Sequence, residues 1–143
     1  MRMREVCVHY RKSEVPLDKG ERFTNSLQIF KAFGNLALEP VEVFRVLFLD
    51  SKNRMLCFED VARGTLTSCL VHPREVFSTA VRLRCASIIT IHNHPSGAQE
   101  PSKEDIEITR RLREAGKLLG IRLLDHIIIG DRQHFSFADE DLL

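Results

Sequence analysis

Ala86-Ser87-Ile88-Ile89-Thr90-Ile91-His92-Asn93-His94-Pro95-Ser96-Gly97 is the stretch from which the fold can be read. Up to the histidine its residues are uncharged and dominated by the β-branched run Ile88-Ile89-Thr90-Ile91, which predicts a buried strand over Ala86–His92. Pro95-Ser96-Gly97 then opens a loop that runs to Pro101-Ser102. Downstream, a long helix is predicted from about Lys103 to Leu119. A second buried strand follows over Ile121–Ile129, and a short one over Gln133–Phe137, before an acidic tail. Upstream, Val41–Asp50 and Met55–Val61 flank Ser51-Lys52-Asn53, a hairpin signature. Gly64 and a Thr/Ser-rich run lead to His72-Pro73, where proline suits the first turn of a helix over Arg74–Leu83. Thr24 is a candidate N-cap for a helix to about Leu38, with Leu27, Phe30, Ala37 and Leu38 as its apolar side and Pro40 as its stop. Residues 4–11 alternate loosely and predict a short N-terminal edge strand, followed by a loop to Gly20. Alternating strands and helices with a hairpin predict an α/β domain, a mixed β-sheet flanked by helices. With no repeat or linker visible, residues 1–143 are expected to form a single domain, of which 1–20 are the N-terminal strand and loop.

Composition narrows the function. Lys plus Arg number 21 against 20 Asp plus Glu, so no whole-molecule field draws the chain to nucleic acid. The four cysteines, Cys7, Cys57, Cys69 and Cys85, include no C-x-x-C pair, which argues against a thiolate zinc knuckle and a secreted disulfide framework. They read as small buried thiols of a reducing compartment. With no apolar signal segment and no run of membrane-spanning length, the expected location is cytoplasmic, without membrane association.

The chemistry starts at His92 and His94. Residues i and i+2 of an extended chain point to one face, and Pro95 keeps His94 extended, so both imidazoles project together. Such a pair suits a borderline-soft cation such as zinc, although histidine pairs also end strands that bind nothing. Ser102-Lys103-Glu104-Asp105 reads on local grounds as a helix-capping signature. Yet Asp105 shares a helical stripe with Ile108, Leu112, Ala115 and Leu119, so it heads the core-facing side, where a carboxylate needs a partner. Glu42 is similar. It shares a strand face with Phe44, Val46 and Phe48, while its plainer reading is a strand-end glutamate reaching water.

Together these residues spell E…H-x-H-x7-S-x2-D, with Glu42, His92, His94, Ser102 and Asp105 in place. This matches the signature of the JAMM (MPN) metallohydrolases. Glu42-Val43-Phe44, Leu47-Phe48-Leu49-Asp50, His72-Pro73-Arg74-Glu75-Val76, His92 through Gly97, and Leu124-Asp125-His126-Ile127-Ile128-Ile129-Gly130 resemble the RadC family, over residues 21–143. The chain resembles the family's short form, without a helix-hairpin-helix DNA-binding module. The brief segment from His94 to Ser102 leaves no room for the insertions with which related deubiquitinating enzymes grip ubiquitin.

The resemblance implies a Zn2+ held by His92, His94 and Asp105, with one position left for water, as catalytic zinc requires. It implies Glu42 as general acid–base and Ser102 as donor to a tetrahedral oxyanion, in cleavage of an amide or isopeptide bond of a peptide or protein substrate. Asn93, Asp125 and His126 are expected to back the ligating imidazoles, whereas His9, His72 and His134 read as structural or surface residues. Two histidines and a carboxylate also make a non-haem iron triad, but Ser102 and Glu42 would then be idle. The rival reading is a repair-associated binding module that contacts DNA or a replication protein through Arg82-Leu83-Arg84 and Thr109-Arg110-Arg111-Leu112-Arg113. Interleaved acids make the latter run equally a solvated helix face. A homodimer through the N-terminal edge strand is a further expectation.

Overall fold

A computed structural model of the chain describes residues 3–17, 20–64 and 71–143. The Thr/Ser-rich run and Cys69 lie outside the described residues. Among those described, the elements are α1 (Ser26–Phe33), a 3-10 turn (Gly34–Leu38), β1 (Val43–Leu49), β2 (Met55–Arg63), α2 (Pro73–Leu83), β3 (Ser87–Asn93), α3 (Lys103–Leu119), β4 (Arg122–Ile129) and β5 (His134–Ser136). The strands form one mixed sheet in the order β2-β1-β3-β4-β5. Among the described strands, only the β3–β4 pair is parallel. A parallel pair needs a crossover, and α3 supplies it.

β3 is buried along its whole length, as its uncharged sequence predicts. One face of the sheet packs Leu47, Ile89, Ile91 and Ile127 against Ile29, Phe33 and Leu36. The other packs Phe44, Val46, Phe48 and Ile88 against Val76, Phe77 and Ala80 of α2 and Ile108 and Leu112 of α3. The period-2 alternation of β1 therefore feeds two cores at once. Both ends of α3 match the sequence, with Ser102 as N-cap and Gly120 at φ +70° closing the last turn, a conformation open to glycine at little strain.

Three expectations are corrected. Residues 4–11 form no strand; Met3, Val6 and Tyr10 are exposed, and a lone ribbon without a partner edge has nothing to hold it. The cap of α1 is Asn25, whose side chain accepts from Gln28 N at 3.0 Å, while Thr24 N donates to Gln28 Oε1 at 2.8 Å. That helix tightens after Phe33, so Leu27 and Leu38 face solvent, and Ile29, Ala32, Phe33 and Leu36 make the buried side. On α3, Leu119 is half exposed, and Thr109 and Gly116 complete the inner stripe instead.

Candidate metal centre

The sheet delivers His92 at the C-terminal end of the central strand, almost wholly buried. His94 follows just beyond it, its N–H donating to Ile129 O at 3.2 Å. The head of α3 brings Asp105. His92 Nε2 lies 3.1 Å from Asp105 Oδ1, His94 Nε2 lies 3.2 Å from Asp105 Oδ2, and the two Nε2 atoms are 3.1 Å apart. Zinc ligands at about 2.0–2.1 Å in tetrahedral array stand about 3.3 Å from one another. The two imidazole nitrogens, and each of them with one oxygen of the Asp105 carboxylate, are thus spaced as neighbouring ligands of one tetrahedral cation would be. Two imidazole nitrogens and a carboxylate converging on one point are also the donor chemistry of such an ion. His92, His94 and Asp105 could hold a metal ion.

Both sequence readings of Asp105 hold together. Ser102 Oγ accepts from Asp105 N at 3.1 Å, and Asp105 Oδ2 accepts from Ser102 N at 2.8 Å, a closed capping box. The carboxylate caps α3 and still faces the histidines. Burial pushes its carboxyl up, but the polar contacts with the facing His92 and His94 imidazoles outweigh this and hold it well below the ordinary carboxylate range. His94 is raised by its hydrogen bond to Asp105 and, more weakly, by the charge of Glu42. Its Nδ1 lies 3.1 Å from Ala98 O.

Glu42 sits half-buried one residue before β1. Phe44 pairs with His92 in the antiparallel register, and continuing that register sets Glu42 opposite His94. Ser102 is exposed at the helix N-terminus beside the carboxylate. Its oxygen accepts in the capping box, which leaves its hydroxyl hydrogen for another acceptor.

The residues expected behind the imidazoles divide. His126 does back one of the two imidazoles, with Nε2 2.8 Å from His92 Nδ1. Burial pushes its pKa well below the usual histidine range. Asn93 does not, because successive strand residues face opposite ways. Its Oδ1 accepts from Val43 N at 2.8 Å and its Nδ2 donates to Val41 O at 3.0 Å, clamping the chain on both sides of Glu42. Asp125 accepts from His126 N, Ser136 Oγ and Ala138 N, away from the imidazole rings. Burial raises its carboxyl above the ordinary value. His72 caps α2, and His134 bonds to Ser26 and stacks on Phe30, as structural histidines. The sequence reading missed Thr109, whose Oγ1 reaches both Asp105 O at 2.6 Å and His126 Nδ1 at 2.5 Å. A polar residue one turn after Asp105 on the inner side of a helix was the available signal.

No helix among the described residues is long and apolar enough to cross a membrane. The sequence matches the profile of the RadC-like JAB domain over residues 23–142. Among similar proteins, a UPF0758 protein of Trichlorobacter lovleyi is 53% identical over 128 residues, covering 89% of this chain and 56% of the relative. Another from Geotalea uraniireducens is 52% identical over 124 residues, covering 86% of this chain and 54% of the relative. The chain spans about half the length of the curated relatives it matches. On the strength of the profile match, this chain belongs to the family of RadC-like JAB domains.

Proposed function

We propose that the chain is a zinc-dependent hydrolase that cleaves an amide or isopeptide bond in a peptide or protein substrate. The observation that carries this reading is the convergence of His92 Nε2, His94 Nε2 and the Asp105 carboxylate at mutual distances of 3.1–3.2 Å. With three protein donors among the described residues the coordination is open, as a catalytic rather than a structural zinc requires. When bound, zinc acidifies a water and polarises the substrate carbonyl. Glu42, near enough to His94 for its charge to be felt there, takes the water's proton and returns it to the leaving amine. The Ser102 hydroxyl hydrogen is available to the oxyanion that develops as water adds to the carbonyl. Water thus adds across the C–N bond, giving an acid and an amine.

The binding-module reading gains nothing from α3. Arg110 pairs with Glu107 and Glu114, each at 2.8 Å, so this part of the basic run is neutralised within its own helix. Metal quantification on purified wild type, His92→Ala and Glu42→Gln tests the proposal. Wild type and Glu42→Gln should carry zinc, and His92→Ala should not. Iron in place of zinc, or a His92→Ala variant that holds zinc as tightly as wild type, refutes it. Against a peptide or isopeptide substrate found by screening, Glu42→Gln should lower turnover by about two to four orders of magnitude.

A further inference from the structure

We propose that Thr109 and His126 form a one-way hydrogen-bond relay that positions His92 and holds it in the tautomer able to bind an ion through Nε2. The proposal rests on the ion-binding reading of His92, His94 and Asp105, and extends it to two residues that touch no ion themselves.

The direction of the relay follows from its ends. The carbonyl oxygen of Asp105 can only accept, so at 2.6 Å it takes the hydrogen of Thr109 Oγ1. That oxygen must then accept from its other neighbour, His126 Nδ1 at 2.5 Å, which places the imidazole hydrogen on Nδ1. The lone pair of His126 is left on Nε2, facing His92 Nδ1 at 2.8 Å. His92 Nδ1 therefore donates, and the lone pair of His92 stays on Nε2, the atom that meets His94 and Asp105. The chain closes on itself, because Asp105 offers its carboxylate to the ion position and its carbonyl to Thr109.

The surroundings favour a fixed path. His126 and Thr109 are almost fully buried, so water does not offer alternative partners. The His126 ring lies stacked on Phe137, with centroids 5.0 Å apart, and meets the edge of Phe44 at 5.5 Å. Phe44 also stacks on His92. Flat aromatic neighbours hold both imidazoles in orientation, while Thr109 chooses which nitrogen bears hydrogen. The opposite polarity would run from Thr109 to His126 Nδ1 and end with a hydrogen on His92 Nε2, where it would obstruct an ion.

The test is zinc affinity by competition with a chromogenic chelator for wild type, Thr109→Val and Thr109→Ser, with circular dichroism to report the fold. Thr109→Val keeps the shape and removes the oxygen; it should bind zinc about 10- to 100-fold more weakly. Thr109→Ser should restore affinity to within a few-fold of wild type. Independently of any variant, 15N-detected NMR of zinc-loaded wild type should place the hydrogen of both His92 and His126 on Nδ1. A hydrogen on His126 Nε2, or a folded Thr109→Val that binds zinc like wild type, overturns the relay and leaves the ion site standing. Wild type that binds no zinc removes the ion site, and the relay with it.

Discussion

Gly130→Ala is the substitution that most directly connects packing to the metal centre. A Cβ at Gly130 would lie 2.6 Å from the carbonyl oxygen of Gly97 and 3.3 Å from the carbonyl carbon and oxygen of Ala98, all main-chain atoms. The loop has to retreat by roughly 0.8 Å to recover an ordinary contact, because no side chain can swing aside. That loop is tied down by Asp131 N donating to Gly97 O at 3.0 Å and His94 N donating to Ile129 O at 3.2 Å. Losing both bonds costs about 2 kcal/mol. Reduced freedom of the unfolded chain returns about 0.4–1 kcal/mol. The net loss is about 1–1.5 kcal/mol, or roughly 3–6 °C in Tm for a domain of this size. The loop also carries His94, and zinc tolerates ligand displacements of only about 0.2 Å. Zinc affinity should therefore fall about tenfold or more. Gly120→Ala is the control. It strains a residue at φ +70° with no atom in its way, at the far end of α3, about 22 Å along the helix from Asp105. It should cost about 1 kcal/mol and leave zinc binding intact. Thermal unfolding and chelator competition on the two variants decide the matter. A Gly130→Ala protein that melts lower yet binds zinc like wild type would refute the coupling between this close approach and His94.

Asn93→Ala should cost about 2–3 kcal/mol in urea unfolding, because it leaves the buried N–H of Val43 without its acceptor. Zinc content should be unchanged, since Asn93 clamps the chain around Glu42 and not the ligands; a zinc-free variant would contradict this. Asp125, raised by burial, binds its proton more tightly in the folded than in the unfolded chain. Its contribution is fully present below the unfolded pKa of about 3.9 and is lost as pH rises through the higher folded value. The stability of wild type minus that of Asp125→Asn should accordingly fall between pH 3 and pH 7 in paired urea titrations. A difference that stays constant, or rises, would show that the three donors to Asp125 outweigh its burial.

Much of this architecture is legible in the order of residues. The long helix is bounded by Ser102 and Gly120, whose capping roles are local chemistry. β3 carries Ile88-Ile89-Thr90-Ile91 and β4 ends in Ile127-Ile128-Ile129, runs of β-branched residues, and the β1–β2 hairpin is marked by the polar turn between its strands. His92, His94 and Asp105 meet because a strand end and a helix start are each set by short-range signals. What escapes is whatever depends on a distant partner. The alternation of Val6, Val8 and Tyr10 looks like a strand, but alternation forms one only when a sheet edge receives it. Asn93 and Asp125 neighbour the histidines in sequence, yet the two-residue period of a strand turns them to other tasks. Thr109 stands out in the sequence only as a polar residue on the inner side of α3, and its partner is settled when α3 is laid against β4, which puts its hydroxyl on His126.

The capping box at Ser102 and Asp105 joins the helix to the metal position through bonds that the protein makes with itself. His92, in turn, is held in a strand hydrogen-bonded on both sides. These contacts do not run through an ion, unlike those of small zinc-nucleated domains whose chain collapses only around the metal. A scaffold of this kind has evolutionary slack. Drift at His94 would end the proposed chemistry and spare the architecture, leaving a surface free to be recruited for recognition alone.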